Sequence, residues 1–274
     1  MSAIALLATG ALAACGGSDE EEVQKLSFKV NLDGPAGAGG TKIEAPKKAE
    51  AGLVEIKYGN NSENSADLQL IRVEGDHDAK EVIDGLEQAT KGKPFPDWFF
   101  AAGGLGLTEP GETVSVTQTL QPGTYYAFNT EGAFKPKTTP RIEVTGEASD
   151  AELDEGAGEV EAGEYVFRSE EPLPAGTNQI LFENVGVQPH HMIATKLIGE
   201  ATAEDVEDAF KSQKGQPPLE EESTQTTAVT EGGEDQLVTF ELEPGRYAFY
   251  CFITDRQGGK PHALKGMVDE IEVK

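Results

Sequence analysis

Apolar and polar residues alternate with a period of two along much of this chain. Tyr247, Phe249 and Cys251 share one face of an extended segment, and Ala248 and Tyr250 share the other. Val238, Phe240 and Leu242 alternate with Thr239 and Glu241, and residues 179–183 read the same way. Pro-Gly at 122–123 and 244–245, and Gly-Gly at 232–233 and 258–259, break these runs at turns. A helical pattern interrupts the strands. Thr202 and Asp205 form a capping-box pair, and Val206 and Phe210 fall on one helix face behind it.

The pattern occurs twice. Residues 55–75 align without a gap on 179–199: Tyr58 meets Phe182, Asn60 meets Asn184, Leu68 meets Met192, Arg72 meets Lys196 and Gly75 meets Gly199. Residues 80–86 follow on 204–210, 120–129 on 242–251, and each copy closes on a short strand at 141–144 and 270–273. Blocks repeating in one order mean duplication. The predicted fold is all-β, with two Greek-key β-sandwich domains in tandem, each carrying one short helix. The domains run over 25–147 and 160–274, joined by an acidic, Gly- and Ala-rich linker at 148–159.

The chain has 274 residues and a formal charge of −27, from 22 Lys plus Arg against 49 Asp plus Glu. That charge repels nucleic acid and anionic membrane surfaces and favours partners with basic docking surfaces. Past the N-terminus no apolar run reaches the length of a membrane span. Residues 4–14 form a short apolar run ending in Leu12-Ala13-Ala14-Cys15. These four residues resemble a bacterial lipobox, in which the Cys is lipidated and the preceding peptide removed. The expectation is an extracytoplasmic protein held to the membrane only by lipid on Cys15, with 16–24 as a flexible acidic tether.

Lipid on Cys15 leaves Cys251 without a disulfide partner, so it is either buried and inert or a metal ligand. The second repeat also contains His190, His191, Met192, His262 and Met267, in the order His190, Cys251-x10-His262-x4-Met267. Two imidazoles, a thiolate and a weak axial thioether are the donors of a type 1 copper site. The motifs 184–190, Tyr250-Cys251, Pro261-His262 and Gly266-Met267 resemble those of the cupredoxins, the plastocyanin and azurin group of blue copper proteins. By that resemblance His190, Cys251 and His262 are equatorial ligands and Met267 the axial one, with Asp255 to Gly259 forming an extra turn that returns His262. His191 follows on the opposite strand face and reads as a surface or supporting residue, Met192 as core, and His77 as a solvated loop residue.

In the first repeat Ala66 stands for His190, Asp67 for His191, Asn129 for Cys251 and Thr138 for Met267. The scaffold persists while every candidate ligand is absent, so copper is expected only in the second domain. Residues 94–106, with the single Trp, read as core filling or as a patch packed on the second domain or a partner. The expected function is single-electron transfer between redox partners, not catalysis, since a type 1 centre has no open position and no second His cluster is present. The alternatives are a metal-free interaction module and a copper storage or delivery protein.

Overall fold

The computed structural model describes residues 23–32, 41–131 and 139–274; Cys15 and Thr138 lie outside these. The first half contains β1 (Gln24–Leu32), β2 (Thr41–Glu44), β3 (Lys48–Glu50), β4 (Gly52–Asn61), β5 (Ala66–Val73), α1 (Ala79–Thr90), β6 (Phe99–Thr108), β7 (Thr113–Leu120), β8 (Gly123–Phe128) and β9 (Arg141–Thr145). The second contains β10 (Gly158–Gly163), β11 (Val166–Arg168), β12 (Gly176–Asn184), β13 (Ile193–Leu197), α2 (Ala203–Ser212), β14 (Leu219–Thr226), β15 (Asp235–Leu242), β16 (Gly245–Tyr250) and β17 (Val268–Val273). The two halves share one topology. The order β1-β4-β7 in the first matches β10-β12-β15 in the second, and β9-β8-β5-β6 matches β17-β16-β13-β14. In both, the first strand pairs parallel with its neighbour. A parallel bridge from Leu173 to Val273 stands where β3 pairs with β9. These are the tandem sandwiches expected from the repeat.

Each helix covers the outer face of one sheet, so central strands are apolar on both faces. Tyr247, Phe249 and Cys251 of β16 and its end face the inter-sheet core. Ala248 and Tyr250 pack instead with Val206 of α2, beside Leu197 and Val268. The α2 N-terminus carries the expected capping box, Thr202 with Asp205, and Asp78 with Glu81 does the same for α1. In the first half Val82, Leu86 and Ala89 of α1 pack on Phe95, Phe99, Tyr126 and Phe128.

The halves are fused more closely than two sandwiches on a linker. Strand β7 pairs antiparallel with β15, Gln118 opposite Gln236, so one eight-stranded sheet runs through both halves. At this seam Gln236 donates to Gln118 Oε1 at 2.8 Å and to Gly104 O at 2.8 Å. One buried cluster runs from Phe28 of the first half to Phe249 of the second. Strand β6 lies against the second half, with Leu107 N–H donating to Thr226 Oγ1 at 2.6 Å. Only Gly fits at 106, where a Cβ would lie 1.9 Å from the Thr226 carbonyl oxygen. The segment 94–106 therefore serves both expected roles, filling the core under α1 and packing on the second half. Strand β1 begins at Gln24 and β10 at Gly158, a residue or two inside the segments read as tether and linker.

Candidate metal centre

His190, Cys251 and His262 converge at one end of the second sandwich. Their donor atoms lie within 4.8 Å of one another, and all three residues are fully buried. Cys251 Sγ is 3.6 Å from His262 Nδ1, which is 3.1 Å from His190 Nδ1. Met267, also fully buried, packs in the same cluster as Cys251.

Backbone bonds place each of them. His190 follows Pro189 and exchanges two bonds with Thr230, at 3.0 and 2.9 Å. Asn184 pins the approach: its Nδ2 donates to Gln188 O at 2.9 Å and Thr230 O at 3.1 Å, and its Oδ1 accepts from Gly186 N–H at 3.2 Å. Asn60, its counterpart in the repeat, donates to Asn64 O and Thr108 O, both at 2.8 Å. This shared Asn is thus a scaffold residue. Cys251 directly follows β16, and its carbonyl accepts from Ala263 N–H at 2.7 Å. His262 opens a 3-10 helix, His262–Lys265, whose C-cap is Gly266. Met267 N–H then donates to the His262 carbonyl at 3.0 Å.

The outer side of His262 explains its orientation. Its Nε2 lies 3.0 Å from Asp255 Oδ1, which also accepts from Tyr165 OH at 3.0 Å. The Lys265 ammonium bonds the other Asp255 oxygen. Burial pulls the Asp255 carboxyl up, but the bonds from Lys265 and Tyr165 outweigh it and hold it below its usual range. A carboxylate there fixes the Nε2–H tautomer and leaves the Nδ1 lone pair facing Cys251 and His190. Burial, reinforced by the neighbouring His262, lowers His190 to about 4. Burial pushes the Cys251 thiol up to about 12.

This donor set fits a metal ion. With its proton committed to Asp255, His262 offers one Nδ1 lone pair, and both the thiol and His190 Nδ1 crowd it. His190 Nε2 is buried without a hydrogen-bond partner. Cys251 Sγ and the Nδ1 atoms of His190 and His262 would hold a cation, which would take up both Nδ1 lone pairs, leave the His190 proton on Nε2 and favour the thiolate that burial otherwise disfavours. Neutral imidazoles and a thiolate are the state such an ion requires.

The neighbouring candidates fall elsewhere. His191 does not reach the centre; its Nε2 accepts from Phe252 N–H at 2.9 Å. In the first half Asp67 takes the same place, accepting from Thr130 N–H at 2.5 Å. Position 191 thus ties down the residue after Cys251, the supporting role foreseen for it. Ala66 is fully buried, and Asn129 Oδ1 accepts from Asp67 N–H at 3.1 Å, so hydrogen bonds occupy the matching end of the first sandwich. Met192 is core, as expected. His77 is not the solvated loop residue anticipated. It stacks on Trp98, with ring centroids 3.8 Å apart and planes 15° apart, because an apolar indole face removes imidazole surface from water. Sequence reasoning missed the roles of Asp255, Tyr165 and Lys265. Residue 165 lies about a hundred positions from Lys265, and no spacing rule links them.

A model of the plastocyanin/azurin family of copper-binding proteins matches residues 154–274. Among solved structures, a dithionite-reduced auracyanin from Roseiflexus castenholzii is 25% identical, covering 42% of this chain and 94% of its own, with a TM-score of 0.28. Auracyanin A, a "blue" copper protein from Chloroflexus aurantiacus, is 20% identical over 44% of this chain and 99% of its own, with a TM-score of 0.30. The multicopper oxidase mgLAC is 13% identical over 92% of this chain and 87% of its own, with a TM-score of 0.27. A search of the curated proteins returned no match. The matched family model covers the segment that holds His190, Cys251, His262 and Met267, and residues 154–274 are accordingly similar to the copper-binding domains of the plastocyanin/azurin family.

Proposed function

We propose that this protein carries single electrons through one type 1 copper, with His190, Cys251 and His262 as equatorial ligands and Met267 as the axial one. The observation that carries this is the buried convergence of two Nδ1 atoms and one thiol, with the outer nitrogen of His262 already engaged by Asp255. Copper held by such donors supplies a one-electron Cu(II)/Cu(I) couple. The chain's own part is to hold the donors still while the charge changes. Full burial excludes water, Asp255 keeps His262 Nδ1 proton-free, and the backbone bonds of Cys251 to Ala263 and of His262 to Met267 fix the loop. Among the described residues the other cluster of metal-type donors is three carboxylates, Glu159, Glu161 and Glu183, with no imidazole. That composition favours electron transfer over a second, catalytic copper. The test is copper loading of the full chain. We expect one copper per chain and a visible band that bleaches on one-electron reduction and returns on oxidation. A loaded chain that stays colourless overturns the reading.

The orienting role of Asp255 has its own outcome. Asp255→Asn keeps the shape and removes the charge. We expect copper affinity, measured by chelator competition, to fall about 10- to 100-fold, as for other supporting ligand contacts. An unchanged affinity means the carboxylate does not orient the ligand.

The proposed setting is extracytoplasmic, with lipid on Cys15 as the anchor. No helix among the described residues is long and apolar enough to cross a membrane. The charge of −27 suits redox partners with basic docking surfaces, whose encounter it would steer. Cys15→Ala is expected to leave the membrane fraction or to accumulate unprocessed. Unchanged membrane association of that variant counts against the anchor.

A further inference from the structure

We infer that the first domain is a mould for the loop between Cys251 and His262, and that Arg256 is the residue that positions this loop; the inference rests on the copper reading above. Ten residues separate the two ligands, and within the loop the turn bond is Gly258 N–H to Asp255 O at 2.7 Å. A second bond, from His262 N–H to Ile253 O at 2.9 Å, closes the base of the loop, and two more reach across to the first domain. Phe95 N–H donates to Arg256 O at 2.8 Å, and Gly259 N–H donates to Gly92 O at 2.9 Å. Gly258 sits so close to the first domain that a Cβ there would lie 2.5 Å from Gly92 O, at a φ of +77°.

The Arg256 side chain is the centre of this contact. It donates to Glu231 Oε1 at 2.6 Å, to Pro96 O at 3.2 Å and to Phe99 O at 3.0 Å. Its guanidinium lies 4.9 Å from the centre of the Phe100 ring. Glu231 in turn accepts from Ala101 N–H at 3.0 Å. Arg256 N–H donates to Gln188 Oε1 at 2.9 Å, two residues before His190. Asp255, which orients His262, is the residue just before Arg256. One residue thus ties the two ligand-bearing segments together through its main-chain N–H and joins them to carbonyls of the first domain through its guanidinium. A ten-residue loop without such anchors is free to shift. Cu(II) would then draw its ligands toward the tetragonal arrangement it prefers, which stabilises Cu(II) over Cu(I).

The test uses the full chain with Arg256→Gln and with Arg256→Gln/Glu231→Gln, which leaves no carboxylate stranded. Three quantities are read: amide exchange of the copper-free protein at Phe95 and Gly259, the thiolate-to-copper band of the loaded protein, and its potential. We expect exchange at both amides to quicken at least tenfold and the band to change shape. The potential should fall, by about 59 mV for each tenfold gain in preference for Cu(II). Thr226→Val removes the bond from Leu107, away from the loop. It should lower stability while leaving band and potential as in the parent. Unchanged exchange, band and potential in both Arg256 variants overturn the inference, as does an equal shift in Thr226→Val. If the double variant unfolds, the single variant decides by the same readouts. A colourless parent would sink the copper reading instead, and unaltered protection at Phe95 and Gly259 in the Arg256 variants would then overturn the mould on its own.

Discussion

Cys251→Ser is expected to abolish the visible colour of the copper-loaded chain while leaving both sandwiches folded. The band of a type 1 site is a transfer from thiolate sulfur to Cu(II), and Cys251 is the sulfur that lies 3.6 Å from His262 Nδ1. A serine hydroxyl fills nearly the same space but does not ionise near neutral pH, so the site loses its anionic donor. The fold itself should weaken by only about 1–3 kcal/mol, the scale of a buried polar atom with an imperfect partner. Copper added to the parent at about a thousand times its Kd should stabilise it by roughly 4 kcal/mol, and this gain should vanish in the variant. Absorbance and thermal unfolding with and without copper measure both effects. A variant that keeps its colour would remove Cys251 from the site.

Phe249→Ala should be the most destabilising core substitution near the centre. Phe249 is fully buried on the inward face of β16, between Tyr247 and Cys251, with its ring 6.3 Å from that of Phe167. Truncating such a ring leaves a cavity under the metal site and costs about 3–5 kcal/mol, against a total stability of roughly 5–15 kcal/mol. Phe252→Ala, at a side chain 39% exposed whose ring meets those of Phe210 and Tyr250 edge-on, should cost less, about 1–2 kcal/mol. Urea unfolding followed by near-UV circular dichroism checks both. Because β7 pairs with β15 and one cluster spans both halves, Phe249→Ala should shift a single transition. Two separate transitions, with the first half unmoved, would show that the seam does not couple the domains.

Several features were legible in the residues alone. The repeat exposed the shared topology because alternation reports which face of a strand is buried, and two copies in one register must build the same sheet pair. Capping at Thr202 was readable because its partners lie three residues apart. The ligand set was readable because Cys, His and Met are scarce here, and the first repeat shows the scaffold without them. Alternation does not say which edge strand lies beside which. Backbone pairing between β7 and β15 asks for no particular side chain, so the two domains read as beads on a linker when they share one continuous sheet.

The amino-acid order by itself therefore determined the tandem all-β sandwiches, the helices and the four candidate ligands, since each depends on local periodicity or on rare donor atoms in sequence. Only the tertiary structure decided how those ligands are held. Asp255 on His262, His191 on the amide after Cys251, and Arg256 on the carbonyls of the first domain are contacts between segments distant along the chain or hidden in an aperiodic loop. Their partners are largely backbone groups, which every residue carries, so no pattern of side chains announces them before the chain has folded.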